Sequence, residues 1–174
     1  MFLTRRALLG VSAAAAMTAA AVPAAGGTAV ADGARGSGPP VVRSIAPEAD
    51  VSHHGHVTLW GAGLGIWLRS ENRGPSDLEG VTVRLRVSVP MAGRQELPGE
   101  CLQAGPRTVL CRTGPLRADG SRQQRLALEL RLRGRPDEAV VRIGTAWNGG
   151  ATDRNSRNSE HEVLALATGD EYVF

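Results

Sequence analysis

Val81-Thr-Val-Arg-Leu-Arg-Val-Ser-Val89 is the stretch of this 174-residue chain that decides its fold class. Its apolar residues occupy every second position, and Thr, Arg and Ser fill the positions between them. Successive side chains of a β-strand point to opposite faces, so this alternation predicts a strand with one buried face and one hydrated face.

A second segment, within residues 123–133, shows the same alternation. Its even-numbered positions hold Leu126, Leu128, Leu130 and Leu132, and Glu129 lies at an odd-numbered position between them. Leucine also suits helices, but a helix would spread these leucines around its circumference. We therefore predict a second half-buried strand here.

Other short apolar runs lie between turn sequences that are rich in Gly, Pro, Asn and Asp. The runs that we expect to form strands are Val41–Ile45, Val57–Trp60, Leu64–Glu71, Thr108–Arg112, Ala139–Trp147 and Glu162–Ala167. About seven short strands in a segment of this length predict an all-β fold, a β-sandwich.

The N-terminus has the pattern of an export signal. Arg5 and Arg6 precede a weakly hydrophobic, alanine-rich run, and Ala29-Val30-Ala31 matches a small-residue cleavage site. The segment resembles the twin-arginine consensus, so we expect the twin-arginine translocase to recognise Arg5 and Arg6 and signal peptidase to read Ala29 and Ala31. The run is too short and too mild for a stable membrane span. An uncleaved anchor and a chance basic N-terminus are the alternatives.

These boundaries divide the chain into three parts. Residues 1–31 are the predicted signal peptide, residues 32–50 a flexible linker that begins with a Gly- and Pro-rich stretch, and residues 51–174 the sandwich domain. Removal of the signal leaves 18 arginines, no lysine and 17 acidic residues. This near-neutral balance gives no electrostatic case for nucleic acid or an anionic membrane as a partner.

Cys101 and Cys111 are the two cysteines of the chain. An even pair in an exported protein predicts a disulfide, which would contribute roughly 2–3 kcal/mol by closing a small loop. A metal pair and reactive thiols are the alternatives, but no nearby His or second Cys pair supports a metal site.

The order of several short motifs resembles a known family, the conserved-repeat domain of unknown function in bacterial surface proteins, and its cell-adhesion-type relatives. The motifs span about residues 57–168. They are Glu71-Asn-Arg-Gly-Pro-Ser76, Gly80-Val-Thr-Val83, Val89-Pro90, Cys101, Val109-Leu-Cys111, Gly114-Pro-Leu116, Asp119-Gly120, Asp153-Arg-Asn155 and Asn158-Ser159.

This resemblance implies an immunoglobulin-like β-sandwich of about seven strands on a secreted or wall-associated protein, with no catalytic role. Two features depart from the family. The domain occurs once rather than in tandem, and neither a sorting motif nor a membrane span follows it. We therefore expect a freely secreted protein rather than one attached to the wall.

Two polar clusters are candidate metal sites. His53-His54-Gly55-His56 offers imidazoles that bind zinc or copper, but no partner cluster lies nearby, and a solvated loop or edge-strand turn is the alternative. Asp153, Asn155 and Asn158 offer oxygen ligands for calcium, but they lack the carboxylates of a calcium loop. We expect these three residues to shape a turn and predict no metal or cofactor.

Motifs of catalysis are not found in the sequence, and we predict that the protein is not an enzyme. Glu96 and Glu100 flank a turn, where paired acids are usually hydrated. Trp60, Trp67 and Trp147 are expected to fill the core rather than serve as sugar platforms. We single out Trp67 as a candidate contact residue, because in a strand its side chain points to the opposite sheet face from those of Ile66 and Leu68.

The sequence thus predicts an exported, non-catalytic interaction or structural module with an unidentified protein or envelope partner. The alternatives are a carbohydrate- or small-ligand-binding module and an accessory domain for a secreted enzyme. Three buried tryptophans would favour the first interpretation, and an exposed tryptophan in a groove would favour ligand binding.

Overall fold

A computed structural model describes residues 45–174 of the chain, so the predicted export residues and the first part of the linker lie outside the described residues. Residues 45–174 form an all-β structure with two single-turn 3₁₀ segments, Ala118–Gly120 and Ser156–Ser159. The strands are β1 Glu48–Ala49, β2 Val51–Trp60, β3 Gly63–Asn72, β4 Thr82–Val87, β5 Cys101–Gly105, β6 Thr108–Arg112, β7 Gln124–Arg131, β8 Glu138–Trp147, β9 Thr152–Asp153, β10 His161–Leu166 and β11 Glu171–Val173.

Two antiparallel sheets hold most of these strands. One has the order β10-β8-β4-β6-β5 and the other β11-β2-β3-β7, while β1 and β9 form a short parallel pair. The two larger sheets therefore contain nine strands, more than the predicted seven or so. The sequence analysis missed β5 and β11 because they are short and carry no run of β-branched residues.

The core is built from alternate residues of both sheets, as the two quoted segments predicted. Val83, Leu85 and Val87 of β4 and Leu128 and Leu130 of β7 are all buried. The residues between them are exposed or half-buried. The period-two interpretation of both segments is therefore confirmed, and the helical alternative for residues 123–133 is wrong.

The histidine segment differs from its prediction. It is neither a loop nor an edge turn, because β2 runs unbroken from Val51 to Trp60 and pairs along its whole length with β3. The odd-numbered residues of this strand point into the core. His53 is one of them, and its polar ring interrupts the apolar pattern formed by Val51, Val57 and Leu59. Because of this interruption, the sequence analysis predicted that the strand begins at Val57.

The folded region also begins earlier than residue 51. Glu48–Ala49 pairs with β9, and the buried side chain of Asn72 accepts hydrogen bonds from the backbone N–H groups of Asp50 (3.1 Å) and Gly74 (3.0 Å). A Cβ atom at Gly74 would lie 2.5 Å from the backbone of Ala49, so only glycine allows this close approach. The motif around Asn72 therefore fixes the last residues of the segment that we assigned to the linker.

Cys101 and Cys111 are joined by a disulfide between β5 and β6, where they are register partners with Cα atoms 4.0 Å apart. The disulfide links the edge strand of the five-stranded sheet to its neighbour. Between residues 45 and 174 no helix is long and apolar enough to cross a membrane.

Candidate functional site

All three tryptophans lie on the surface. The exposed fractions are 73 % for Trp60, 52 % for Trp67 and 48 % for Trp147, while Ile66 and Leu68 beside Trp67 are buried. The expectation that tryptophans fill the core is wrong, because leucine, valine and isoleucine side chains fill it instead. The prediction that Trp67 faces away from Ile66 and Leu68 is confirmed.

Trp67 stands in the middle of the outer face of the four-stranded sheet. One row of register partners crosses this face, from Val173 through His56 and Trp67 to Ala127. The His56 ring stacks on the indole, with ring centroids 6.0 Å apart and planes inclined by 15°. On the other side of Trp67 the register partner is Ala127, whose methyl group is too small to cover the indole.

The next row supplies polar groups beside the indole. It contains Thr58, Gly65 and Glu129 on adjacent strands. A Cβ atom at Gly65 would lie 2.6 Å from Thr58 Oγ1 and 3.2 Å from Glu129 Oε1, so both side chains lean over the bare backbone of β3. Within residues 45–174, no arginine or histidine nitrogen lies within 4.0 Å of the Glu129 carboxylate. Its oxygens are therefore free to accept hydrogen bonds from a ligand.

Trp60 extends this surface to the end of the hairpin. It is the register partner of Gly63, and Thr58 is the partner of Gly65. Trp60 and Thr58 are therefore on the same outward face of β2 as His56. The Trp60 ring lies 3.2 Å from the position that a Cβ atom at Gly169 would occupy. We call the surface formed by Trp60, Thr58, His56, Trp67, Ala127 and Glu129 the Trp67 face.

A cleft of about 730 Å³ adjoins the Trp67 face at Gly63 and Glu129. The loop 92–96 forms its other wall, which includes Arg94 and Glu96. Gln95 anchors this loop, because its Oε1 accepts a hydrogen bond from the Arg131 backbone N–H at 2.7 Å. The cleft therefore has charged groups of both signs on a wall that is tied to β7.

No family model, curated protein or solved structure matches the chain. The resemblance to the surface-protein repeat therefore stays a prediction. The assignment of a function depends on the chemistry of the surfaces described here.

His53 is sealed inside the sandwich. Its Nδ1 lies 2.9 Å from Ser70 Oγ and its Nε2 lies 3.0 Å from Thr145 Oγ1, so one imidazole bridges the two sheets. Burial, together with the nearby His161 and His54, lowers the pKa of His53 from 6.5 to about 4. Both ring nitrogens already have hydrogen-bond partners, which leaves neither of them for a metal ion.

The remaining histidines and acidic groups do not assemble around His53. His56 lies on the outer face, with Nε2 3.8 Å from a Glu171 carboxylate oxygen. The part of the chain that the structure describes contains no group of three or more His, Cys, Asp or Glu placed to hold a metal ion. Glu96 and Glu100 line different clefts.

The second candidate metal cluster is used in local hydrogen bonding. Asp153 Oδ1 accepts a hydrogen bond from the Asn155 backbone N–H at 2.9 Å, and Asn158 Nδ2 donates one to Asp50 Oδ1 at 2.7 Å. The exposed side chain of Asn155 is not part of this hydrogen bonding. These contacts hold the turn that leads into β10.

The outer face of the five-stranded sheet carries a second charged surface. Arg86 and Arg142 are register partners on β4 and β8, and Arg84 is the partner of Gly144. Arg142 Nε lies 2.6 Å from a Glu162 carboxylate oxygen, whereas Arg84 and Arg86 have no carboxylate within 4.0 Å among residues 45–174. This surface carries more positive than negative charge, because Glu160 and Glu162 accompany three arginines there. Like charges that face each other across strands, such as Arg86 and Arg142, are destabilising.

Proposed function

We propose that the protein is an exported, non-catalytic binding module and that the Trp67 face is the surface with which it binds. The observation that carries this proposal is the exposure of Trp67 on a sheet face whose Glu129 also lines a cleft. Burial of a tryptophan is worth several kcal/mol, and exposed aromatic side chains are concentrated at binding surfaces. The core is filled with aliphatic side chains, and Trp67 remains 52 % exposed on the outer face.

We further propose that the domain is immunoglobulin-like. The strand order supports this assignment, because β2, β3 and β7 are adjacent in one sheet and β10, β8 and β4 in the other. These two triplets correspond to strands A, B, E and G, F, C of an immunoglobulin sandwich. In this comparison β11 is an additional strand beside the A strand.

A non-catalytic role is supported by the position of the strongly perturbed titratable group. A perturbed pKa points to a catalytic site when the group lies in a cleft. His53 instead lies in the core, where its pKa follows from burial between two hydroxyl partners. The Glu129 carboxylate, in the row next to Trp67, is suited to accept hydrogen bonds from a ligand.

Export is supported by the sequence of residues 4–9 and by the disulfide, which is typical of oxidising compartments. We expect that a variant with lysine at both Arg5 and Arg6 is retained inside the cell, since the receptor reads the arginine pair rather than its charge. Immunoblots of cell and supernatant fractions measure this. Normal secretion of the double-lysine variant would contradict the twin-arginine route.

The binding surface is tested with the mature chain, residues 32–174, in sedimentation assays with fragments of the producing cell's envelope. Trp67→Ala is expected to reduce binding by about tenfold, which corresponds to the loss of one stacked aromatic contact. Trp147→Ala is the matched control, because Trp147 is similarly exposed but belongs to the other sheet. Equal binding by both variants and the parent protein would refute the assignment of the Trp67 face.

A further inference from the structure

We infer that the ligand of the Trp67 face is an uncharged polysaccharide, which lies along β3 from Trp67 towards Trp60 and the adjoining cleft. This inference rests on the proposed function, because it names the ligand of the same surface. It is carried by the arrangement of two exposed indoles, two glycines and a set of hydrogen-bonding side chains on one sheet face.

The two tryptophans are spaced along the outer face of the sheet. Trp60 lies opposite Gly63, four residues before Trp67 on β3, which corresponds to about 13 Å along the strand. The outward positions of β3 in this interval are Gly63 and Gly65, and the side chains of Thr58 and Glu129 fill the space above Gly65 from the neighbouring strands. A rigid polymer with flat apolar patches on successive units can contact both rings while it passes over these two polar side chains.

The hydrogen-bonding groups stand where the hydroxyl rim of a stacked sugar ring would lie. A pyranose ring presents C–H bonds to an aromatic face and hydroxyl groups around its edge. Thr58 Oγ1 and the Glu129 carboxylate lean over Gly65, next to the indole of Trp67. A carboxylate accepts hydrogen bonds from two neighbouring hydroxyls, and such charge-assisted bonds are stronger than those between neutral groups.

The charge of the surface favours an uncharged ligand. Glu129 is accompanied by Glu96 in the cleft, but Arg94 and Arg131 line the same cleft. Arg125 flanks Ala127 on the other side of Trp67 and is also outward-facing. A polyanion or a polycation would meet like charge along this path, whereas hydroxyl groups can donate to the glutamates and accept from the arginines.

A protein partner fits this surface less well. The centre of a protein–protein interface is a contiguous, well-packed apolar patch. On the outer face of the four-stranded sheet the large exposed apolar side chains are Trp60, Trp67 and Val173, and glycine, threonine and glutamate separate the two indoles. The exposed leucines Leu102, Leu164 and Leu166 belong to the other sheet.

The test uses the mature chain and a panel of uncharged oligosaccharides: cellohexaose, chitohexaose, xylohexaose, laminarihexaose and maltohexaose. Binding is measured by isothermal titration calorimetry and by the shift of tryptophan fluorescence. At least one sugar is expected to bind, with about tenfold weaker affinity after Trp67→Ala and no change after Trp147→Ala. Glu129→Gln is expected to weaken binding, since it removes the charge from the acceptor but keeps its shape.

The same experiment with envelope fragments separates this inference from the proposed function. Periodate destroys sugars with neighbouring hydroxyls, and protease removes proteins. Trp67-dependent sedimentation that is lost after periodate and survives protease supports the inference. Sedimentation that survives periodate and is lost after protease would overturn it and leave the proposed binding role intact. A panel without a single Trp67-dependent sugar would also overturn it.

Discussion

The buried His53 makes the stability of the domain dependent on pH, and the size of the effect follows from its surroundings. In the unfolded chain the His53 imidazole takes up a proton near pH 6.5, whereas in the folded domain it does so only near pH 4. Between these values the unfolded state binds more protons, so the free energy of unfolding falls as the pH falls. At about 1.4 kcal/mol per pH unit, the loss amounts to about 3 kcal/mol.

The direction of this effect is fixed by the lowered pKa. The stability contributed by neutral His53 is fully present above pH 6.5, declines as the pH drops towards 4 and changes no further below that. Asp77 does not interfere in this window. The Ala118 backbone N–H and then Arg117 lower the pKa of Asp77 below its usual 3.8, so its contribution is lost only in stronger acid.

Urea unfolding of the parent domain and of His53→Gln from pH 7 to pH 4 measures the effect. The glutamine amide can replace one imidazole hydrogen bond but does not titrate, so the variant is expected to be less stable at pH 7 and to lack the additional loss in acid. His54→Gln, at a half-exposed neighbouring position, is the control and should retain most of the pH dependence, because burial is the largest cause of the lowered His53 pKa and His54 the smallest. Parallel pH profiles for the parent and His53→Gln would refute the reasoning.

Three further results follow from the packing. Cys101 and Cys111 of the exported protein should react with a thiol reagent only after reduction, and free thiols in native supernatant protein would contradict the disulfide. Leu128→Ala should lower the free energy of unfolding by about 2–5 kcal/mol, whereas Glu129→Ala should change it by less than about 0.5 kcal/mol; equal losses in denaturant melts would contradict the inward and outward assignments. Arg86→Gln should raise the free energy of unfolding by a few tenths of a kcal/mol in low salt. A lower free energy of unfolding would show that the two facing arginines do not destabilise the fold.

The strands that could be predicted are those in which large aliphatic residues alternate with polar or small ones along the sequence. In β4 and β7 every second residue is a large aliphatic one, and both strands form with the predicted inward face. β6 is found at the predicted residues, Thr108–Arg112. Local sequence was sufficient here because the hydrophobic pattern and the strand geometry have the same period.

The rest depended on tertiary contacts that sequence alone does not contain. His53 occupies an inward position only because Ser70 and Thr145, far apart in sequence, supply hydroxyls to its two nitrogens. The start of β2 at Val51 could have been predicted if the odd-numbered residues Val51, His53 and Val57 had been recognised as one inward-facing set. Of the candidate site, the alternation predicted that Trp67 faces opposite to Ile66 and Leu68, but not which of them faces outward. Ala127 and Glu129 join Trp67 only through the register of β7.

The tryptophans show how packing can point to function. Burial of a large aromatic side chain is strongly favourable, so a sandwich with spare core volume would be expected to take its tryptophans inside. Here leucines, valines and isoleucines close the core, and Trp60 and Trp67 remain on one outer face with glycines between them. Neither indole belongs to the buried core. The ligand binding that we propose for this face accounts for their exposure.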